Sequence, residues 1–165
     1  MISRDGSKLL YRQLEPVSHI WIAGIDGSNP RQITFDDIDL YGVSFSPDGK
    51  TVLFQSQHEG GLKEGSLVCS IDRDGMNRKQ LISSEERINH AILSPDGRWI
   101  IYGRFSTTEP PDSSKVYLID ARNPATPRLV NRGIPVWWID DRSFISYDLF
   151  ARKAFRNSTD GGEPQ

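Results

Sequence analysis

A pentapeptide repeats along this chain. Ser46-Pro47-Asp48-Gly49-Lys50 returns as Ser94-Pro95-Asp96-Gly97-Arg98, with a weaker copy at Ser3-Arg4-Asp5-Gly6-Ser7 and a decayed one at Trp138-Ile139-Asp140-Asp141-Arg142. The aligned residues Asp5, Asp48, Asp96 and Asp140 lie 43, 48 and 44 residues apart, the period of a unit of four short strands in a repeat architecture. In the best copy Pro47 presets φ at the first central position, Asp48 suits the second, and Gly49 accepts the left-handed conformation that follows. Each copy therefore reads as a tight hairpin turn.

Every turn leads into a short apolar, β-rich run: Leu9-Leu10-Tyr11, Val52-Leu53-Phe54, Trp99-Ile100-Ile101-Tyr102 and Phe144-Ile145-Ser146-Tyr147. These are expected second strands, and their near-continuous hydrophobicity suits sheets covered on both faces. Third strands are expected at Ile20-Trp21-Ile22, Leu67-Val68-Cys69 and Val116-Tyr117-Leu118-Ile119, each ending in a turn rich in Asp, Gly, Asn and Pro. Short fourth strands follow at Arg31-Gln32-Ile33, Lys79-Gln80-Leu81 and Arg128-Leu129-Val130. Trp21, Trp99, Trp137, Phe45, Phe54 and Tyr102 fall on strands and are expected to pack between neighbouring sheets; Cys69 is expected to be a small core residue.

The Ser-Pro-Asp-Gly hairpin, together with Ile20-Trp21-Ile22 and the following Asp26-Gly27-Ser28-Asn29-Pro30-Arg31-Gln32-Ile33-Thr34, resembles the TolB-like (WD40-like) β-propeller repeat over essentially the whole chain. The fold class this implies is all-β: antiparallel four-stranded blades of a β-propeller, about four of them, at about 1-35, 36-83, 84-131 and 132-165 of one region. The resemblance is specific for fold and poor for function. Similar repeats occur in periplasmic TolB, in bacterial regulators and kinases with an attached propeller, and in prolyl-oligopeptidase-like hydrolases.

The ends add an expectation of their own. Met1-Ile2 supply only the tail of a first strand, and Gly162-Glu163-Pro164-Gln165 stop where the first repeat is entering its fourth. The first blade is thus expected to lack its innermost strand and the last its outermost. Termini of that kind cannot complete a shared blade. The expectation is a partial propeller, a piece of a larger one or an arc closed by other protein, with exposed apolar blade faces open to self-association.

Composition narrows the function classes. With 20 Lys plus Arg against 22 Asp plus Glu and a formal charge of -2, there is no basic surface of the kind nucleic acid requires. Cys69 has no cysteine to pair with. No run approaches the roughly 18 apolar residues of a membrane helix, and no apolar signal region follows Met1. Neither membrane insertion nor nucleic-acid binding is expected, and the compartment is left open, with the periplasm favoured by the TolB resemblance alone.

In a four-stranded meander the turns after strands one and three leave one end of the blade, and the loops after strands two and four leave the other. The first end carries short turns whose Asp and Gly residues are accounted for by turn geometry. The second end carries the irregular loops bearing His58 and Glu59 and bearing Glu109, with connectors bearing Asp36, Asp37 and Asp39 and bearing Glu85 and Glu86. This mildly acidic end is where binding is expected. His90, placed just before an inner strand at the rim of a central channel, and Trp138, which replaces the turn serine, complete the candidate partner-binding residues.

The tests for chemistry are negative. His19, His58 and His90 occupy non-equivalent repeat positions without metal-ligand spacing. Gly42-Val43-Ser44-Phe45-Ser46 lacks the final glycine of a nucleophile elbow, and Gly60-Gly61-Leu62-Lys63-Glu64-Gly65 lacks the spacing and ending of a phosphate loop. No catalytic, cofactor-binding or metal residue is assigned, and no cofactor is expected. The functional expectation is a non-catalytic protein-binding module, a TolB-like scaffold or sensor region of a larger bacterial protein, whose partner is another protein or the remaining blades of the same propeller. The alternative is the propeller portion of a prolyl-oligopeptidase-like hydrolase or propeller lyase whose catalytic groups lie outside this chain.

Overall fold

The computed structural model describes residues 1–14, 18–35, 40–57, 65–105 and 114–162. Among them there is no helix; all regular structure is antiparallel sheet. The chain divides into two compact units, Met1–Ser83 and Ser84–Gln165, each built from two of the predicted blades.

In the first unit, β1 (Lys8–Leu14), β2 (Ser18–Gly24) and β3 (Arg31–Gln32) form a three-stranded meander, to which Ile2 adds an isolated bridge with Leu9. The second blade is four-stranded: β4 (Leu40–Phe45), β5 (Thr51–Gln57), β6 (Ser66–Asp72) and β7 (Lys79–Ser84). Because side chains alternate across a strand, paired residues such as Leu10 and Ile22, or Phe54 and Cys69, share a face. Leu10, Ile20, Ile22 and Ile33 of the first blade meet Leu40, Val52, Phe54, Leu67, Cys69 and Ile71 of the second in one buried cluster. Each fully buried aliphatic or aromatic side chain there contributes about 1.5–3 kcal/mol relative to leaving it in water.

The second unit repeats the plan. β8 (Arg87–Leu93), β9 (Trp99–Phe105), β10 (Lys115–Asp120) and β11 (Arg128–Arg132) form a four-stranded blade, and β12 (Ile134–Trp138), β13 (Ser143–Asp148) and β14 (Lys153–Ser158) a three-stranded one. The strand β14 supplies the third strand that the fourth repeat lacked in the sequence reading. Ile101, Val116 and Leu118 pack on Phe144, with Trp99, Val130 and Trp138 around them. Beside this apolar contact lies a polar one. The Asn131 amide nitrogen donates to Ser146 Oγ and to Asn157 Oδ1, both at 2.8 Å, and Asn157 Nδ2 donates to Ser146 Oγ at 3.0 Å.

A second device joins blades in both units. Arg31, on the outer strand of the first blade, donates to the backbone carbonyls of Arg73 and Asp74 in the second blade's outer turn, at 2.5 and 2.6 Å. Arg128, its counterpart in the third blade, donates to those of Thr159 and Ser158 in the fourth, at 2.7 and 3.2 Å.

The repeated turn has a fixed hydrogen-bond circuit. Ser46 Oγ donates to Asp48 Oδ1 at 2.7 Å, the amide of Lys50 donates to the same oxygen at 3.0 Å, and the amide of Thr51 donates back to Ser46 Oγ at 2.9 Å. Ser3 with Asp5 and Ser94 with Asp96 reproduce it. The decayed copy keeps the carboxylate half: Asp140 Oδ1 accepts from the amides of Arg142 and Ser143 at 2.8 and 2.7 Å.

The inner strands β4, β8 and β12 each carry a register shift against their neighbours, between Tyr41 and Ser44, Asn89 and Ile92, and Pro135 and Trp137. The sequence reading contained no such bulge, and in β12 it reverses an expectation. One extra residue, Val136, separates the pairs Pro135–Ser146 and Trp137–Ile145, so Trp138 falls opposite buried Phe144. Uninterrupted alternation would instead have put Trp137 there, because a shift of one residue exchanges the two faces of a strand. Trp137, expected to pack, is 56% exposed.

Candidate functional site

Of the candidate binding residues, Asp36, Asp37, Asp39, His58, Glu59 and Glu109 lie outside the described residues. Glu85, Glu86, His90 and Trp138 all belong to the second unit. Glu85 is exposed at the connector between β7 and β8. The amide of Glu86 donates to Ser84 Oγ at 3.1 Å, and its carboxylate pairs with the Arg104 guanidinium. Arg104 also lies over the Tyr117 ring, 4.8 Å from its centroid. The acidic pair thus divides into a free-standing Glu85 and a Glu86 already engaged by a cation.

His90 lies within β8, not ahead of it, in the bulge between Asn89 and Ile92. Its side chain is exposed and its φ is +50°. That left-handed conformation is uncommon away from glycine, though histidine is among the residues enriched there. The equivalent position of the second blade holds Gly42, at φ +59°. A glycine inside a predicted strand was the available sign of the bulge. Trp138 is half-buried; its indole Nε1 donates to the carbonyl of Ile92 at 3.1 Å. His90 thus points to solvent from its bulge, while Trp138 turns into packing against blade three.

The loop ends carry features that the sequence reading passed over. Phe35, in the connector after β3, is 73% exposed and Phe150, in the turn after β13, is 68% exposed. Phe150 is presented by a defined turn: Asp148 Oδ1 accepts from the amides of Phe150 and Ala151 at 2.8 and 3.0 Å, and Arg152 takes φ +53°. Composition flagged acidic residues at this end, whereas the aromatic tips stand out only once exposure is known.

At the turn end of the first unit, a shallow cleft of about 390 Å³ is lined by Asp48, Lys50, Thr51, Asp72, Arg73 and Asp74. It adjoins a smaller one of about 210 Å³ lined by Arg4, Asp5, Pro47, Asp48, Gly49 and Arg73. Two of the carboxylates here, Asp5 and Asp48, are held below the usual carboxylate range. The Ser3 hydroxyl, with the amide and hydroxyl of Ser7, holds Asp5 down at about 2, and the Ser46 hydroxyl and the Lys50 amide lower Asp48. Acids held this far down are poor proton donors near neutral pH, and their Oδ1 atoms are occupied by the turns. No set of three His, Cys, Asp or Glu among the described residues is placed to hold a metal ion, and Cys69 is buried.

No family model matches the chain, and no curated protein matches it. Solved structures do. TolB from Acinetobacter baumannii superposes with a TM-score of 0.74 at 15% identity, covering 97% of this chain and 41% of that one. An oligogalacturonate lyase in complex with manganese gives 0.62 at 19% identity, covering 96% and 43%. A puromycin-hydrolyzing peptidase of Mycobacterium tuberculosis gives 0.71 at 16% identity, covering 96% and 30%. The chain thus spans less than half the length of each of these proteins. Identities this low speak for fold alone, and one fold serves both binding proteins and enzymes. With four antiparallel blades, of which the first and last are three-stranded among the described residues, the chain has the fold of a partial β-propeller, similar to that of TolB.

Proposed function

We propose that this chain is a non-catalytic protein-binding module, a scaffold or sensor region of a larger bacterial protein, which recognises its partner at the loop ends of its blades. The supporting observation is the position of the exposed aromatics. Phe35 and Phe150 are the most exposed large apolar side chains among the described residues, and both stand in loop-end connectors. Aromatic side chains on a rigid scaffold bring large contact area at low entropic cost and are enriched at protein interfaces. The connector residues Asp36, Asp37, Asp39 and Glu85 add negative charge, which favours a partner with a basic rim.

Pull-down from cell extract tests the reading, comparing the native chain with one carrying Phe150→Ala and with one carrying Asp36→Ala, Asp37→Ala, Glu85→Ala and Glu86→Ala. Loss of a partner in either variant supports the loop-end site. Undiminished recovery in both overturns it.

A second reading draws on the similarity to a peptidase and a lyase. Under it, the chain is the propeller portion of an enzyme whose catalytic groups lie on other residues. Hydrolytic or lyase activity in the purified 165-residue chain would contradict both readings.

A further inference from the structure

Blade packing in this chain has a fixed sense. The residue five positions after each turn aspartate, Leu10, Leu53, Ile101 or Ile145, points to one face of its blade, and the residues four and six positions after it point to the other. In the first unit the Leu10 face of blade one packs on the Val52 and Phe54 face of blade two. In the second unit the Ile101 face of blade three packs on the Phe144 face of blade four. A forward face thus meets a receiving face in both contacts, never a face of its own kind.

Of the four faces outside these contacts, the Leu53 face of blade two and the Ile100 and Tyr102 face of blade three are buried, whereas one face of blade four and one of blade one are partly or fully exposed. The forward face of blade four carries Ile145 and its register partners Trp137 and Arg156, followed by Tyr147 with Ile134. Trp137 and Arg156 are exposed, and Ile134, Ile145 and Tyr147 are half-buried. The receiving face of blade one carries Leu9, Tyr11 and Trp21, all half-buried, with the Tyr11 and Trp21 rings stacked at 6.4 Å. The first is apolar apart from Arg156, which pairs with the exposed Asp140 at 3.8 Å. The second offers aromatic faces on which a guanidinium can rest.

We infer that the forward face of blade four binds the receiving face of blade one in a second copy of this chain. The contact continues the packing seen twice inside the molecule and matches its sense. It is heterologous, since different patches meet, so it either closes into a ring or extends into a filament. The proposal does not depend on the loop-end reading, which concerns the other connectors.

Sedimentation velocity of the 165-residue chain over a wide concentration range provides the test. The native chain is expected to self-associate, and Trp137→Glu and Tyr11→Glu are each expected to weaken association by about tenfold or more. Mixed together, the two variants should recover a one-to-one heterodimer, because each retains one intact face. A native chain that stays monomeric throughout would overturn the proposal. So would association untouched by Tyr11→Glu, the mark of blade four pairing with itself, or a mixture that forms no heterodimer. Circular dichroism checks the fold of each variant; if Tyr11→Glu does not fold, Gln13→Arg, at an exposed position of the same face, replaces it with the same expected and overturning outcomes.

Discussion

The Trp138 indole nitrogen reaches out of blade four to the backbone carbonyl of Ile92 in blade three, 3.1 Å away, while its ring lies tilted on Phe144 at a centroid distance of 5.1 Å. One side chain thereby ties two sheets by a directed bond while its ring packs on an aromatic of its own sheet. Its neighbour Trp137 shares none of this and faces solvent.

The two adjacent tryptophans should therefore respond very differently to truncation. Trp138→Ala removes the ring from the cluster and leaves the Ile92 carbonyl without its donor, at a cost of about 3 kcal/mol. Trp137→Ala should change stability by less than about 1 kcal/mol. Urea denaturation of dilute samples, where association does not contribute, measures both. Equal effects would contradict the bulged register.

The turn aspartates predict acid sensitivity in a defined window. The Ser3 hydroxyl and its neighbours lower Asp5 from 3.8 to about 2. Asp26 is lowered first by the Ser28 hydroxyl, Asp48 by that of Ser46, and Asp140 by the Arg142 amide. At Asp96 burial acts upward but is outweighed by the Ser94 hydroxyl and the Arg98 amide. A carboxylate whose folded pKa lies below its unfolded value stabilises the fold above that unfolded value and ceases to do so as pH falls through the folded one. From these groups, stability should be level down to about pH 4 and fall between there and about pH 2. Urea midpoints across that range test this, and Ser46→Ala should move the Asp48 titration, followed by NMR, upward.

Gly133 joins β11 to β12 at φ +110°, and a Cβ there would run into the Tyr147 carbonyl. Gly133→Ala is expected to cost about 3 kcal/mol, from the left-handed backbone and the collision together. Gly49→Ala, at φ +67° with open space around it, carries the backbone penalty alone, about 1 kcal/mol. Thermal unfolding of the two variants gives the comparison.

His90→Gly isolates the role of a side chain held at φ +50°. Relief of the left-handed strain outweighs the added freedom of the unfolded chain, so the variant is expected to be more stable by up to about 1 kcal/mol. If the imidazole belongs to the partner site, pull-down recovery should fall while stability rises. A loss of stability would show that the histidine is a structural residue.

Much of the architecture was legible because it rests on local chemistry. The Ser46–Asp48 circuit closes within six residues, and the apolar runs after each turn became β1, β5, β9 and β13. The candidate site was less legible. Acidic residues can be counted in a sequence, but that Glu86 is engaged by Arg104 depends on a contact between the start of one strand and its neighbour. Phe35 and Phe150 read as ordinary apolar residues until their exposure is known.

Four repeats, their turns and their strand order follow from backbone preferences that act over a few residues: proline at one turn position, glycine at the next but one, β-branched and aromatic residues in between. Which tryptophan is buried does not follow in this way. It depends on a single extra residue in β12, and that bulge exists only in the pairing with β13. Register is a property of two strands together, so identical local sequence leaves open which face each side chain takes until the partner strand is in place.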